Sequence, residues 1–196
     1  MKGKINKNKK RQSIIDGARV VFLSEGYSNA NMDQIAESAK VTKQTVYRYF
    51  PSKLDLFQNV ICEMEMQFDF SLLNHLLGAC PRDALDQFAY NYVLFTISEE
   101  KIATYRFLIS EYAYISNQNC QHLVTKEITE HIIRFIERRF GLKNNSSLTT
   151  EEAIRLWFAM LHSMRSELVM GMKKPTNDQI SHHAITANSV LLSAIT

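Results

Sequence analysis

Residues 31–53 read NMDQIAESAKVTKQTVYRYFPSK, and this stretch predicts a helix, a tight turn, a second helix and the start of a third. Asn31 with Gln34 three positions later is close to the reciprocal capping pattern that begins a helix. Thr42 is a favourable N-cap for the second helix, because its hydroxyl can accept a backbone N–H bond. Pro51 then ends that helix. The spacing therefore predicts a helix–turn–helix.

The second of these helices, from Lys43 to about Phe50, has one inward and one outward side. Val46 and Phe50 are four residues apart, so they fall on the same face and point toward a core. The outward side is polar and aromatic: Lys43, Gln44, Tyr47 and Arg48. A short helix with such a face is suited to contact another molecule.

Lysines occupy the first position of two successive helices, at Lys43 and Lys53. A helix N-terminus carries partial positive charge and favours acidic residues, so a lysine there is slightly unfavourable by itself. Backbone N–H groups beside an ammonium form an anion site that a phosphate of nucleic acid fits. Two exposed lysines on a solvated surface are an equally good interpretation of this placement alone.

A longer pattern runs from Ile35 to Phe57 and reads IAExAxVTKxTVYxYFxSKxxLF. It closely resembles the DNA-binding signature of the TetR family of bacterial transcriptional repressors. With the preceding helix, the resemblance covers about the first sixty residues. The chain departs from the signature at Lys40, where the family usually has glycine. We expect Lys40 to enter the turn at a conformational cost of roughly 1 kcal/mol.

The resemblance implies an all-α protein of about nine helices, with a DNA-binding helix–turn–helix domain in residues 1–55 and an effector-binding and dimerisation domain in residues 56–196. Composition agrees, since only 6 glycines and 3 prolines occur and 45% of residues are apolar. Charge is also divided: residues 1–59 hold 11 basic and 5 acidic residues, and residues 60–196 hold 12 and 15. A basic N-terminal part of this kind is expected to meet nucleic acid.

Matching positions of the family imply a set of DNA contacts. Lys43, Gln44 and Thr45 are expected at base edges, where a glutamine suits adenine. Phosphate contacts are implied for Tyr47, Tyr49 and Lys53. The complete predicted set is Asn31, Thr42, Lys43, Gln44, Thr45, Tyr47, Arg48, Tyr49 and Lys53.

The rest of the N-terminal third is assigned simpler roles. Met1–Lys10 is a lysine-rich arm, too polar to fold alone, that either follows DNA or serves as a solubilising tail. The first helix is predicted from about Arg11 to Ser24, with Gly26 as its stop. A single helix from Lys53 to about Leu77 is predicted to connect the two domains.

The C-terminal part is expected to form a homodimer through its last two helices, Thr150–Met172 and Asp178–Ile195, and to bind a small, apolar or aromatic effector. The segment beginning at Leu156 resembles that of the AcrR-like multidrug-efflux repressor branch. Predicted effector contacts are Met64, Phe68, Tyr92, Phe95, Tyr105, Tyr112, Trp157 and His162, with Arg106 as a further polar candidate. Each aromatic taken singly is more often a core residue than a ligand contact.

Several function classes are disfavoured by missing patterns. The six histidines show no metal-binding spacing, and no glycine-rich phosphate loop or nucleophile elbow occurs, so no metal, cofactor or enzymatic activity is expected. Cys62, Cys80 and Cys120 are expected to be reduced core thiols, with a redox switch as the minor alternative. No apolar run could span a membrane, which favours a cytoplasmic protein. A helical ligand-binding or interaction protein with a vestigial DNA-binding head remains the alternative, and an enzyme built on a helical bundle a more distant one.

Overall fold

The computed structural model describes residues 2–65, 69–111, 120–141 and 148–195, and the side chains of 8–64, 69–111, 127–141 and 148–195. Across these residues the chain forms nine α-helices, one 3-10 helix and no strand, which confirms the all-α fold class. The helices are α1 (Lys2–Asn29), α2 (Met32–Ser38), α3 (Lys43–Tyr49), α4 (Lys53–Glu65), the 3-10 helix (Phe70–Leu77), α5 (Pro81–Thr96), α6 (Glu99–Ser110), α7 (Cys120–Arg139), α8 (Thr150–Val169) and α9 (Asn177–Ile195).

The helix–turn–helix begins with the predicted capping box. The Asn31 side-chain oxygen accepts from the backbone N–H of Asp33 and of Gln34, both at 3.0 Å, and the Gln34 side chain accepts from the Asn31 N–H at 3.0 Å. Thr42 caps α3 by accepting from the Thr45 N–H at 3.2 Å. Four exposed N–H donors are thereby satisfied locally, so both helix starts are fixed by their own sequence.

The turn between α2 and α3 contains the departure from the family pattern. Lys40 has a φ of 54°, and it is the one residue other than glycine with a positive φ in the described part of the chain. The turn is closed by backbone bonds from Lys40 N to Glu37 O at 3.0 Å and from Val41 N to Ala36 O at 2.9 Å. The lysine thus adopts the left-handed geometry that glycine would take more cheaply.

Gly17 is the position where α1 passes closest to the turn. A Cβ built on Gly17 would lie 2.7 Å from the Ala39 backbone nitrogen and 2.9 Å from its Cα. One turn of α1 earlier, the Ser13 hydroxyl donates to the Ala39 carbonyl at 3.1 Å. The absence of a side chain at residue 17 is therefore what lets α1 lie directly on the end of α2.

Helix α1 is longer than predicted. It begins at Lys2, so the arm expected to be unfolded alone is helical, and it includes a non-helical residue, Gly26, at φ 73° and ψ 170°. Lysine and glutamine are good helix formers, and an already anchored helix extends at little cost because its nucleus exists. The predicted stop at Gly26 coincides with this kink.

The connector is not one α-helix. Helix α4 ends at Glu65, and the chain later forms a separate 3-10 helix, Phe70–Leu77. Asp69 caps that helix by accepting from the Ser71 N–H at 2.9 Å. Hydrogen bonding with the Ser71 side chain, followed by this backbone bond, lowers the pKa of the Asp69 carboxyl. The apolar periodicity continues through the break, which is why the sequence predicted a single helix.

The chain divides into two compact units, Met1–Gln67 with Phe107–Gln121, and Phe68–Arg106 with His122–Thr196. The first unit is held by a ring cluster in which the Phe57 centroid lies 5.0 Å from Phe22, 4.7 Å from Tyr27 and 6.2 Å from Phe107. The division into residues 1–55 and 56–196 stays a prediction.

The second unit packs α5, α7, α8 and α9 around Trp157, whose side chain has no exposed surface. The indole N–H donates to the Asn188 carbonyl oxygen at 2.8 Å, and the Asn188 amide donates to Asp86 at 2.7 Å. This buried chain of hydrogen bonds ties three helices together without an unpaired polar atom among its members.

Two cysteines have described side chains. Cys80 is free and exposed, whereas Cys62 is disulfide-bonded. The prediction of reduced core thiols is therefore wrong for Cys62 in its redox state and for Cys80 in its burial, because spacing along the sequence does not reveal a pair formed by tertiary contact. Within the described residues, none of the helices has the length and apolarity of a membrane span.

Candidate DNA-binding face and effector site

Helix α3 presents the side chains that the sequence placed outward. Val46 is fully buried, and Phe50, which follows as the C-cap, is 1% exposed, so these two hold the helix to the first unit. Lys43, Gln44 and Arg48 are exposed, and Tyr47 keeps 44% of its surface accessible. A polar and aromatic face thus remains accessible to solvent on a helix whose other side is fixed in a core.

Lys43 is not free at this face. Its ammonium donates to the Asp33 carboxylate at 2.8 Å, joining the first turn of α3 to the first turn of α2. The hydrogen bond to Asp33, followed by the attraction of its charge, raises the pKa of Lys43. Both side chains are exposed, so water and salt screen the pair, and a phosphate can replace Asp33 as the partner.

Lys53 has a more confined environment. Its ammonium donates to the carbonyl oxygens of Tyr27 at 2.8 Å, Ser28 at 3.3 Å and Ala30 at 2.9 Å, and it lies 4.5 Å from the Tyr27 ring centroid. The Tyr27 and Ser28 carbonyls belong to the last turn of α1, and the Ala30 carbonyl lies between α1 and α2. Lys53 therefore joins the start of α4 to the end of α1, a role that the sequence did not indicate.

The other predicted DNA contacts are largely engaged with their own helix. Asn31 and Thr42 are caps, and the Thr42 and Thr45 hydroxyls lie 2.9 Å apart. The Arg48 guanidinium lies 5.5 Å from the Tyr49 ring centroid, which holds both side chains against α3. The local sequence thus organises the predicted contacts before any ligand arrives.

The second unit contains a polar pair in which Tyr92 is buried and His162 is partly buried. The Tyr92 hydroxyl on α5 and the His162 Nε2 on α8 are 2.7 Å apart, and Phe88 and Phe158 flank Tyr92 with ring centroids at 5.8 and 5.3 Å. Burial lowers the pKa of His162 to about 3, with a smaller contribution from the positive charge of Arg165. Burial also raises the pKa of Tyr92. Both groups are therefore neutral at physiological pH.

Arg165 is a residue of this region that the sequence analysis missed. Its guanidinium carbon lies 3.8 Å from the Tyr105 ring centroid, and its charge acts on both Tyr92 and His162. It follows His162 by three positions on α8, so helical spacing could have placed the two on one face. The site combines a neutral hydrogen-bonding pair, a stacked cation and several aromatic rings.

The remaining predicted effector contacts are distributed differently. Met64 is buried in the first unit, Trp157 is enclosed in the core of the second, and Phe95 is half-buried with the Lys101 ammonium 4.9 Å from its ring centroid. Phe68 and Tyr112 lie outside the described residues. The eight effector contacts and nine DNA contacts stay predictions.

Arg106, named as a further polar candidate, has a structural position instead. Its guanidinium donates to the Leu168 and Val169 carbonyls at 2.8 and 3.2 Å, which satisfies acceptors at the end of α8. Among the described residues, no group of three or more His, Cys, Asp or Glu side chains is placed to hold a metal ion.

The N-terminal segment is similar to a known protein family and to known regulators. Residues 14–60 match the family described as bacterial regulatory proteins, tetR family. Over 63 residues the chain is 43% identical to the HTH-type transcriptional regulator SrpR of Pseudomonas putida, covering 31% of this chain and 30% of SrpR. It is 31% identical over 96 residues to IcaR of Staphylococcus aureus, the HTH-type negative transcriptional regulator of the biofilm operon icaADBC, covering 48% of this chain and 51% of IcaR.

Solved structures resemble the chain over nearly its whole length. A protein described as a TetR-family transcriptional regulator from Mesorhizobium loti superposes with a TM-score of 0.75 at 19% identity, covering 96% of this chain and 97% of that one. The flavonoid-responsive regulator FrrA superposes with a TM-score of 0.73 at 25% identity, covering 96% and 98%. The chain therefore has the fold of TetR-family structures, and its residues 14–60 match the tetR family of bacterial regulatory proteins.

Proposed function

We propose that this protein is a TetR-type transcriptional repressor that binds a palindromic operator as a dimer and is released by a small aromatic effector. The exposed face of α3 carries the proposal, because it presents Gln44, Tyr47 and Arg48 on a helix fixed by Val46. This face lies within residues 14–60, the segment that matches the tetR family. The curated relatives SrpR and IcaR are transcriptional regulators, and IcaR is a negative one.

A dimer is supported by the apolar surface of the last two helices. Leu156 on α8 and Ile185 and Val190 on α9 are 53%, 43% and 48% exposed. Large exposed apolar side chains on neighbouring helices are typical of a protein–protein contact, and a two-fold pairing would bury the same patch twice. Such a dimer would read two half-sites about 34 Å apart, so the operator is expected to be palindromic.

The direct test is binding of the purified protein to the DNA upstream of its own gene across a salt series. We expect tight binding with two or more protomers per site, sequence preference over scrambled DNA, and a steep fall in affinity as salt rises. Weak binding without sequence preference would instead favour the alternative, a ligand-binding or interaction protein with a vestigial DNA-binding head. A selection for bound sequences from the genome would then separate a distant operator from no operator.

Base reading is assigned to Gln44, whose exposed amide can pair with adenine in the major groove. Replacing Gln44 with Ala is expected to change the preferred sequence at one position of each half-site, with fold and salt dependence unchanged. Gln87→Ala, at an exposed glutamine of α5, is the matched control. A Gln44 variant with unchanged preference would exclude a base-reading role.

The effector is proposed to be a planar aromatic compound with hydroxyl groups. Its chemistry would match the Tyr92–His162 pair, which offers neutral donors and acceptors among aromatic rings. The similarity to a flavonoid-responsive regulator supports the same class. The resemblance to the AcrR-like branch leads to a narrower proposal, in which the protein regulates drug efflux. In that case the operator is expected to lie upstream of transporter genes.

The effector proposal is tested by adding flavonoids to the preformed protein–operator complex. Release of DNA at micromolar concentrations is expected for the wild-type protein, and Tyr92→Phe is expected to weaken the response without changing operator affinity. Release that persists equally in the Tyr92 variant would move the effector away from this pair.

A further inference from the structure

A cavity of about 430 Å³ lies between the 3-10 helix Phe70–Leu77 and helix α7 in the second unit. Its volume falls in the range of about 300–1,000 Å³ that is typical of small-molecule sites. The cavity has two chemically different walls, one of leucines from the 3-10 helix and one from α7 that carries three arginines together with His131 and Phe135. Neither Tyr92 nor His162 lines it, so it is separate from the proposed effector site.

The apolar wall is formed by the 3-10 helix. Leu76 is 7% exposed and belongs to the core of the second unit, where Phe135 of α7 also packs at 8% exposure. Leu77 is 79% exposed, and Leu73 is half-buried. A surface leucine with this much accessible area, next to a rigid apolar floor, gains free energy when an apolar ligand covers it.

The basic wall is formed by the last turns of α7. Arg139 donates to the Gly78 and Ala79 carbonyl oxygens at 3.0 and 2.6 Å, so its guanidinium is held in place. Carbonyls carry no net charge, and Arg139 therefore keeps its full positive charge. Arg138 forms no ion pair within the described part of the chain, and the groups that line the cavity include no acidic side chain.

Arg134 completes this wall with a partly balanced charge. One guanidinium nitrogen lies 3.9 Å from the Glu130 carboxylate, and the Nε donates to the Glu130 carbonyl. Basic residues at a helix C-terminus are stabilising in themselves, because that end carries a partial charge of about −0.5. That effect explains arginines on the last turn, but it explains neither the leucine wall nor the cavity. Two uncompensated arginines also exceed the partial negative charge.

We propose that this cavity binds a small amphipathic carboxylate, with its alkyl chain on the leucines and its carboxylate on Arg138 and Arg139. Guanidinium groups match a carboxylate in a planar, two-bond geometry, and water is excluded along the alkyl chain. The leucines of the 3-10 helix give the alkyl chain an apolar surface to cover. The volume suits a free small molecule, not a helix of a protein partner.

Isothermal titration of the full chain with octanoate tests the proposal directly and requires no DNA. We expect saturable binding of one octanoate per chain that weakens as salt rises. Butyrate, which retains the head without the chain, and 1-octanol, which retains the chain without the charge, are each expected to bind at least about tenfold more weakly. Failure of operator binding would leave this measurement unaffected.

Two surface variants locate the site. Arg138→Gln and Leu77→Asn are each expected to weaken octanoate binding about fivefold to tenfold. Arg155→Gln, at an exposed arginine of α8 outside the cavity, is the matched control, and thermal melting checks that all variants fold. Absence of saturable binding by the wild type, equal affinity in both cavity variants, or loss of binding in Tyr92→Phe instead would overturn the proposal. Binding of anionic vesicles or an acidic peptide in place of octanoate would also overturn it.

Discussion

The DNA-binding face and the Tyr92–His162 pair use polar groups in opposite ways. On α3 the polar side chains are exposed, and Lys43 is paired with Asp33 across water-accessible surface. In the second unit the polar groups are largely enclosed between α5 and α8, and the pKa of His162 is lowered to about 3. An exposed pair can exchange its partner for a phosphate at small cost, whereas a buried pair must keep every bond satisfied.

This difference separates a surface that is ready to bind from a site that must be opened. Removing one member of the exposed pair is expected to alter DNA affinity slightly and stability hardly at all. Removing one member of the buried pair is expected to alter stability and its pH dependence. Four variants test the two regions, in order of decreasing expected effect.

The largest effect is expected from His162. Its folded pKa lies below its value in the unfolded chain, so stability is fully present above about pH 6.5 and falls as pH is lowered toward 3. Denaturation at pH 7 and pH 4 should show that the wild type loses up to about 3 kcal/mol more than His162→Gln. His182→Gln, at an exposed histidine of α9, should follow the wild type. Parallel losses in wild type and His162→Gln would show that His162 is not buried in its neutral form.

Gly17→Ala tests whether the helix–turn–helix depends on the close approach of α1 to the Ala39 backbone. Helix propensity alone would make alanine more stable by up to about 1 kcal/mol, but the Cβ would collide with the Ala39 backbone. We expect a loss of about 1–3 kcal/mol in the free energy of unfolding. Val20→Ala, at a 63% exposed position of α1, should change stability by less than about 0.5 kcal/mol. A stabilised Gly17→Ala protein would mean that α1 can move away from α2.

Lys53→Ala separates the structural role of the Lys53 ammonium from its proposed contact with a DNA phosphate. Loss of its bonds to the Tyr27 and Ala30 carbonyls is expected to cost about 1–2 kcal/mol of stability. If Lys53 also contacts phosphate, the slope of log affinity against log salt should fall by about one unit. Lys174→Ala, at an exposed lysine before α9, is the control. Reduced stability with an unchanged slope would leave Lys53 a purely structural role.

The smallest effect is expected from Asp33→Asn. Releasing Lys43 from its carboxylate partner should strengthen DNA binding by roughly twofold to fivefold, because an exposed ion pair is weak. Glu37→Gln removes an exposed acid from the same helix without touching Lys43, so it measures the general effect of charge. Equal gains in the two variants would show that the Lys43–Asp33 contact does not compete with DNA.

The contacts of the helix–turn–helix were predicted from the sequence better than those of the second unit, for a physical reason. Asn31, Gln34 and Thr42 act on neighbours within three residues, so their capping bonds could be predicted from spacing. The Tyr92–His162 bond joins positions 70 residues apart, and no local pattern indicates it. Both residues were named as candidates on chemical type, but their pairing, and the role of Arg165, required the packed helices.

The errors have related causes. The connector was predicted as one helix because apolar spacing persists beyond Glu65, while the Asp69 cap that starts a new helix resembles any exposed aspartate. The phosphate contact of Lys53 stays a prediction from the family pattern, but its bonds to the Tyr27 and Ala30 carbonyls were missed because these groups lie 26 and 23 residues earlier in the chain. Hydrogen bonds from a side chain to distant backbone carbonyls leave no trace in side-chain periodicity.

The Asn188 amide also has a consequence for synthesis of the chain. It bridges Asp86, made 102 residues earlier, and Trp157, made 31 residues earlier. While the ribosome is still translating α9, the indole N–H and the carboxylate have not yet acquired this common partner. The second unit can therefore complete its core only after α9 has emerged, and until then the Trp157 indole N–H lacks its native acceptor.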